Sequence, residues 1–188
     1  MTVSINNDRN LIEGLLQQSQ RAQQQLLSNY GSYVFARVAR LIPSQADAEE
    51  VYQDVFVRVF SHISMFDPQR SSLKTWISRI AYNESISFLR QRSLPVVSFD
   101  DHESEACAIS EQEVDETFGR PNADTVQLIR TALRHLPADE RAIITMFYYE
   151  EMSIKDIAFV TESLPTTVAS RLSRIRKKLC RIIKMLQS

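Results

Sequence analysis

Glycine is nearly absent from this chain: of 188 residues only Gly14, Gly31 and Gly119 lack a side chain. Three glycines so far apart can form neither a Gly-x-Gly-x-x-Gly fingerprint nor a P-loop, which excludes the phosphate-cradling nucleotide folds. Cysteine is as scarce. Cys107 and Cys180 stand far apart, with no C-x-x-C, so neither a disulfide framework nor a zinc site is indicated. The three histidines, His62, His102 and His135, each sit singly, without the i, i+4 partner or the Cys/Asp arrangement that metal or triad chemistry uses. Glu49 and Glu50 are neighbours, and adjacent side chains on a helix diverge by about 100°, a poor geometry for paired acid–base work. No metal, cofactor or catalytic residue is therefore expected, and the chain does not read as an enzyme. No apolar run approaches the roughly 20 residues of a spanning helix. The start, MTVSINNDRN, has neither the basic nor the apolar stretch of an export signal, so a cytoplasmic location without membrane insertion is expected.

What is present is ordinary globular composition, 44% hydrophobic and 24% charged, enough to build a core. The net charge of −1 hides a division along the chain. Residues 1–92 carry ten basic and eight acidic side chains, residues 93–123 one and eight, and residues 124–188 eleven and seven. Two mildly basic blocks thus flank an acidic connector. The stretch 165–188 holds Arg171, Arg174, Arg176, Lys177, Lys178, Arg181 and Lys184 and no acid.

Both basic blocks have helical periodicity. In 47–63, Val51, Val55, Phe56, Val59, Phe60 and Ile63 recur at helical spacing, with Asp47 as a candidate cap. From about 72 to 92, Leu73, Trp76, Ile77, Ile80, Ala81 and Phe88 share one side, and Arg79, Asn83 and Arg90 the other. Upstream, 26–42 carries Leu27, Tyr30, Val34, Val38 and Leu41 and is closed by Pro43. Residues 1–25, with their Gln-rich run 17–25, have no assignment beyond a frayed extension or a first helix. Residues 94–123, after a short LPVVSF run, collect acids and cannot bury enough apolar surface to offset ordering entropy; they read as a linker, either a solvated tether or a segment with a partner. The back block resumes with Val126, Ile129, Leu133 and Leu136, then a helix after Pro137 with Ile143, Ile144 and Phe147. Ser153 to Asp156 resembles a capping box. A turn at Thr161, Glu162 and Ser163 leads to a helix with Pro165 in its first turn and a seam of Val168, Leu172, Ile175, Leu179, Ile182 and Leu186. The expected architecture is all-α: two small helical domains, 1–93 and 124–188, joined by a flexible acidic linker, 94–123, the second domain containing a helix-turn-helix.

Three constellations could carry function. The two short helices from 153 to about 183 have the layout of a helix-turn-helix, whose second helix enters the major groove. Thr166, Thr167, Ser170 and Arg171 stand where bases or phosphates are reached, while Arg174, Lys177, Lys178 and Arg181 are suited to neutralising phosphates. A merely solvated basic face is the alternative. The stretch Phe66, Asp67, Arg70, Lys74 and Trp76, leading into Arg79, Asn83 and Arg90, sets cations, an amide and aromatics side by side, as a single-stranded nucleic-acid site requires; Trp76 and Phe66 also lie on apolar stripes and equally suit a core. Asp47, Glu49, Glu50, Gln53 and Asp54 form an acidic patch, either solvated or a docking face for a basic partner.

The segments DAEEVYQDVFVRVF at 47–60, TWISRIAYN at 75–83, LPADER at 136–141, TVASRL at 167–172 and RIRKKL at 174–179, with Ile157 and Ala158, resemble the extracytoplasmic-function sigma factors of bacterial RNA polymerase. The likeness runs from about 26 to 183. It implies a subunit that binds core polymerase, at the β′ clamp helices and the β flap, and directs promoter-specific initiation. Glu50, Gln53 and Asp54 match the clamp-binding segment. Asp67, Arg70, Lys74, Trp76, Arg79, Asn83 and Arg90 would hold the melted minus-ten element, with one base extruded into a loop pocket, and Thr166, Thr167, Ser170, Arg171, Arg174, Lys177 and Lys178 would read the minus-thirty-five duplex. The linker would thread toward the polymerase active centre, and an anti-sigma partner is implied as an option. Two departures stand out: Ala169 where the family often has Lys, and Glu162 where glycine is common, which points to a strained or altered turn. Two other readings compete with initiation: a stand-alone helix-turn-helix regulator, whose front block would oligomerise or sense, and an interaction protein that binds polymerase or a sigma without directing transcription. A regulator would shift duplex DNA alone, usually as a dimer on paired half-sites.

Overall fold

A computed structural model of the chain describes residues 2–92 and 123–187. Among the described residues there are eight α-helices, one 3-10 turn and no strand, as the all-α reading requires. The expected linker, with Cys107 and His102, lies outside the described residues apart from its last position, Ala123. The chain divides into two compact units, one built on residues up to Arg92 together with Phe159–Ser163 and the other on the remaining helical residues from Ala123.

The first unit comprises α1 (Thr2–Leu16), α2 (Gln20–Leu41), α3 (Gln45–His62), a 3-10 turn (Ile63–Met65) and α4 (Leu73–Arg92). Helices α2, α3 and α4 pack on one another, and α1 packs on α2 and the 3-10 turn. Their shared core is β-branched and leucine-rich, with Leu26, Val34, Val38, Val51, Val55, Val59, Leu73 and Ile77 sealed from solvent. Leu26, not Leu27, points into the core of α2's stripe, and Leu27 is exposed.

The start of α3 corrects an expectation. Ser44, in an extended conformation, is the cap, its Oγ accepting the Asp47 N–H at 3.4 Å. Asp47 lies three residues further on, and its Oδ2 is 2.5 Å from Arg92 Nη1. The start of α4 is built the same way, Ser72 Oγ accepting the Thr75 N–H at 3.1 Å. Satisfying these orphan donors contributes about 1 kcal/mol per cap.

Of the two readings of residues 1–25 the structure gives the first helix, α1, and the Gln-rich run joins it to α2 through a Schellman turn. The Ser19 N–H donates to the Gly14 carbonyl at 2.9 Å and the Gln18 N–H to the Leu15 carbonyl at 3.0 Å, the paired bonds that define this helix end. Gln18 takes the left-handed position at φ 56, where glycine is usual. The glycine is inside α1 instead. A Cβ on Gly14 would stand 2.8 Å from Ala22 Cβ, so its bare backbone is what lets α1 and α2 close on each other, burying Leu11 and Leu15.

The hairpin is also tied by Tyr30 of α2, whose hydroxyl donates to Asp8 Oδ1 at 3.5 Å. Burial first, and then the Asp8 charge and hydrogen bond, push the Tyr30 phenol up from 10.0 to about 12. A raised folded-state value means that this stabilisation is whole below pH 10 and is lost as pH rises from 10 towards 12. Tyr30→Phe should therefore flatten the alkaline limb of the stability profile between those values, as denaturant titrations at stepped pH would read it. An unchanged limb would remove Tyr30 as its source.

The second unit comprises α5 (Ala123–Arg134), α6 (Ala138–Tyr148), α7 (Ile154–Val160) and α8 (Pro165–Gln187). Helix α8 packs on α5 and α6. Pro137 stands at the N-cap of α6, where its missing N–H costs nothing. The capping-box reading holds at α7: the Asp156 N–H donates to Ser153 Oγ at 3.1 Å, and that hydroxyl donates to Asp156 Oδ2 at 2.6 Å. Glu151, at φ 51, turns the chain out of α6 so that the Met152 N–H reaches the Met146 carbonyl at 3.0 Å. The seam of α8 holds at Val168, Leu172, Ile175 and Leu179, all buried. Towards its end burial passes to Cys180 and Ile183, one strip further round the helix, while Leu186 and Met185 are exposed.

Candidate functional site

The acidic patch of α3 is placed by its apolar stripe. With Val51, Val55 and Val59 turned into the core, Glu50, Gln53 and Asp54 stand exposed on the opposite side. Asp47 belongs to Arg92, and Glu49 Oε1 accepts from Gln45 Nε2 at 2.9 Å, so the open face narrows to those three. Val57 lies on it as well. It is three residues from Asp54 and four from Gln53, and 67% exposed. Its signal in the sequence is a valine out of phase with the buried positions.

In the segment between the 3-10 turn and α4, Asp67 Oδ1 accepts the Gln69 N–H at 2.9 Å, and its carbonyl accepts the Arg70 N–H at 3.1 Å. Asp67 thus shapes the loop with its own carboxylate, an Asx-type turn. Trp76 is 8% exposed and meets Phe66 edge-on at 5.7 Å between ring centroids; of its two readings, the structure gives the core. Lys74 remains exposed, its ammonium over the Tyr33 ring at 4.6 Å, a cation–π contact that restrains where the charge points. Arg79, Asn83 and Arg90 share the polar face of α4, opposite Leu73, Ile77 and Ile80. Asn83 and Arg90 are exposed.

Helices α7 and α8 flank the turn at 161–164, and Glu162 has φ 54. The left-handed backbone that the departure from glycine foreshadowed is present. Thr166, Thr167, Ser170 and Arg174 are exposed on α8. Ser170 donates its hydroxyl proton to the Thr166 carbonyl at 2.9 Å, which leaves its lone pairs for an incoming donor. Two of the expected DNA-facing cations are engaged within the unit. Arg171 Nη2 lies 2.5 Å from Asp139 Oδ2, and Lys178 Nζ lies 3.1 Å from Glu140 Oε2. Both acids stand in the first turn of α6, favourable to that helix dipole, and brace α6 against α8 at up to about 1 kcal/mol per partly exposed pair. Arg171 keeps further donors for a phosphate, since one guanidinium carries five. Lys178 is half-buried between helices and reads better as a brace than as a phosphate contact. Beside these acids, burial depresses the Arg141 guanidinium below its usual range.

Among the described residues no cluster of His, Cys, Asp or Glu could hold a metal ion, and no helix is long and apolar enough to cross a membrane.

Residues 26–94 match sigma-70 region 2, and residues 126–179 match sigma-70 region 4. Over 175 residues the chain is 26% identical to an ECF RNA polymerase sigma-E factor of Haemophilus influenzae, covering 90% of this chain and 92% of that protein. It is also 26% identical to the RNA polymerase sigma-H factor of Pseudomonas aeruginosa over 184 residues, 95% of each. The fold is similar to that of CnrH, solved with the cytosolic domain of CnrY, at a TM-score of 0.64 and 24% identity, covering 95% of this chain and 97% of that one. It is likewise similar to the sigma factor RpoE of Bartonella quintana, solved with the anti-sigma factor NepR, at 0.59 and 24%, covering 86% and 96%. The chain belongs to the sigma-70 family, among its extracytoplasmic-function members. It is accordingly a subunit that directs promoter-specific initiation by core RNA polymerase, a non-catalytic role in a family whose chemistry is done by the polymerase. The front block is a sigma region, so the stand-alone regulator has no support.

Proposed function

We propose that the two units divide initiation between them in the cytoplasm, with no catalytic step of their own. The observation that carries this reading is within the first unit: α3 turns Glu50, Gln53, Asp54 and Val57 to solvent, while α4 turns out a separate polar face with Asn83 and Arg90. One unit thus has two distinct faces. The α3 face docks on the basic β′ clamp helices of core polymerase, Val57 supplying an apolar centre within a charged rim, and the β flap engages the second unit. The α4 face, with Arg79, Arg70 and Lys74, holds the displaced strand of the minus-ten element. Asp67 acts through the loop it shapes, and Trp76 by holding α4 in place. Unstacking a base costs a few kcal/mol, so capture of the flipped base draws binding energy into strand opening.

Helix α8 reads the minus-thirty-five duplex through Thr166, Thr167 and Ser170, with Arg171, Arg174 and Lys177 on phosphates. Polymerase holds the two units at fixed spacing, so two modest contacts become effectively intramolecular and jointly selective. An anti-sigma partner would act by covering one of these faces.

The direct test adds the purified protein to sigma-free core polymerase with genomic fragments and maps transcript 5′ ends. New starts sharing two upstream elements at constant spacing are expected; none, with a polymerase that works with another sigma, would sink the reading. Asp54→Ala should weaken co-elution with core by roughly tenfold without altering the helical circular dichroism. Undiminished co-elution would remove Asp54 from the contact.

A further inference from the structure

Leu164 breaks two rules of its position at once. Its carbonyl accepts the first intrahelical bond of α8, from the Val168 N–H at 3.0 Å, which makes it the N-cap residue. Ser, Thr, Asp or Asn is favoured there because a side-chain oxygen can take an orphan N–H, and leucine is among the poorest choices. Nor is it used for packing, being 68% exposed. A residue that satisfies neither local rule is where a functional demand is to be sought.

The surroundings say which demand. Pro165, Thr166, Thr167, Ala169 and Ser170 are exposed beside it, and no residue from Leu164 to Ser170 is charged. The first guanidinium along the helix, that of Arg171, is tied to Asp139. Arginine or lysine on guanine is the commonest base-specific pair in the major groove, and the leading end of this helix, the part that reaches base edges, does not carry it. That end offers methyl groups: the leucine side chain, and those of Thr166, Thr167 and Ala169. The feature of the major groove that answers to such a surface is the C5 methyl of thymine.

We propose that Leu164 is a specificity-determining residue that packs on a thymine methyl of the upstream promoter element, so that this turn selects thymine where an arginine would select guanine. The proposal rests on α8 being the recognition helix. It goes beyond that reading by naming the atom that is read.

The experiment uses holoenzyme assembled from the full chain and core polymerase. Duplexes randomised over the upstream element are selected for binding, and the winning duplex is remade with deoxyuridine in place of each thymidine in turn, which removes one methyl at a time. At one or two positions the substitution should weaken wild-type binding about 3- to 5-fold, the worth of one buried methyl. Leu164→Ala should bind the thymine duplex more weakly by a similar factor and be indifferent to deoxyuridine there. Leu164→Ser separates recognition from folding: serine caps α8, so this variant should melt at a higher temperature than wild type and still bind the thymine duplex less well. A selected motif in which wild type tolerates every deoxyuridine, or a full deoxyuridine penalty in Leu164→Ala, overturns the proposal while leaving α8 as the reader. Selection of no upstream motif at all overturns the recognition-helix reading, and the proposal with it.

Discussion

Arg37→Ala is expected to lower the unfolding free energy of the first unit by about 2–4 kcal/mol. Arg37 is 4% exposed and heads a directed chain of hydrogen bonds. Its Nη1 donates to Tyr33 Oη at 3.0 Å, that hydroxyl meets Ser78 Oγ at 2.8 Å, and Ser78 donates to the Lys74 carbonyl at 2.8 Å. Because Ser78 gives its proton to Lys74, Tyr33 gives its own to Ser78, and Arg37 donates to the phenol oxygen. Removing the guanidinium takes away that buried hydrogen bond and empties the volume of a long side chain. Arg37→Met, which keeps the stem, should recover part of the loss. The only tryptophan, Trp76, is buried in α4, so its fluorescence in a denaturant titration reports this unit. A loss below about 0.5 kcal/mol, typical of an unremarkable surface site, would show that the buried chain is not needed. The same chain ends on the residue whose ammonium lies over the Tyr33 ring, so loosening it should also blunt any role of Lys74 at the promoter.

Asn83→Ala is expected to slow promoter opening by about tenfold, equivalent to roughly 1.4 kcal/mol in the opening step, with core binding and upstream contact unchanged. Asn83 is exposed on α4, so its removal leaves no void in the core. An amide both donates and accepts, and so answers both kinds of group on the edge of an unpaired base, where a cation only donates. The deficit should therefore appear only where bases must leave the stack. A template already unpaired across the minus-ten element should restore the variant to near wild-type output, and permanganate should find fewer reactive thymines on the paired template. Normal reactivity there would contradict the assignment.

The helical architecture was legible because apolar residues recur at 3.6-residue spacing through both blocks, and burial follows that pattern at Val51, Val55, Ile77, Leu172 and Ile175. What escaped was set by contacts with no sequence period. The turn at Gln17 to Ser19 lacked its usual glycine, since the residue that needed to be small was Gly14, opposite Ala22. Asp47 was the expected cap of α3, but Ser44 holds that place and Asp47 pairs with Arg92, 45 positions away. The ties from Asp139 and Glu140 to Arg171 and Lys178 span 32 and 38 residues, so a list of basic residues on α8 read them all as open to DNA. Leu164 and Val57 were silent for the opposite reason: periodicity finds apolar residues that pack, and these two do not.

Among the described residues the three held at positive φ, Gln18, Glu151 and Glu162, all stand at the joints between helices and none is glycine. A left-handed conformation costs a residue with a side chain about 1–2 kcal/mol, and such a conformation persists only where the surrounding packing dictates it. Tension in this molecule is thus gathered at its corners while its helices are relaxed. Each corner relies on the neighbouring core to keep it bent, and it is the first part of the backbone to spring straight once that core loosens.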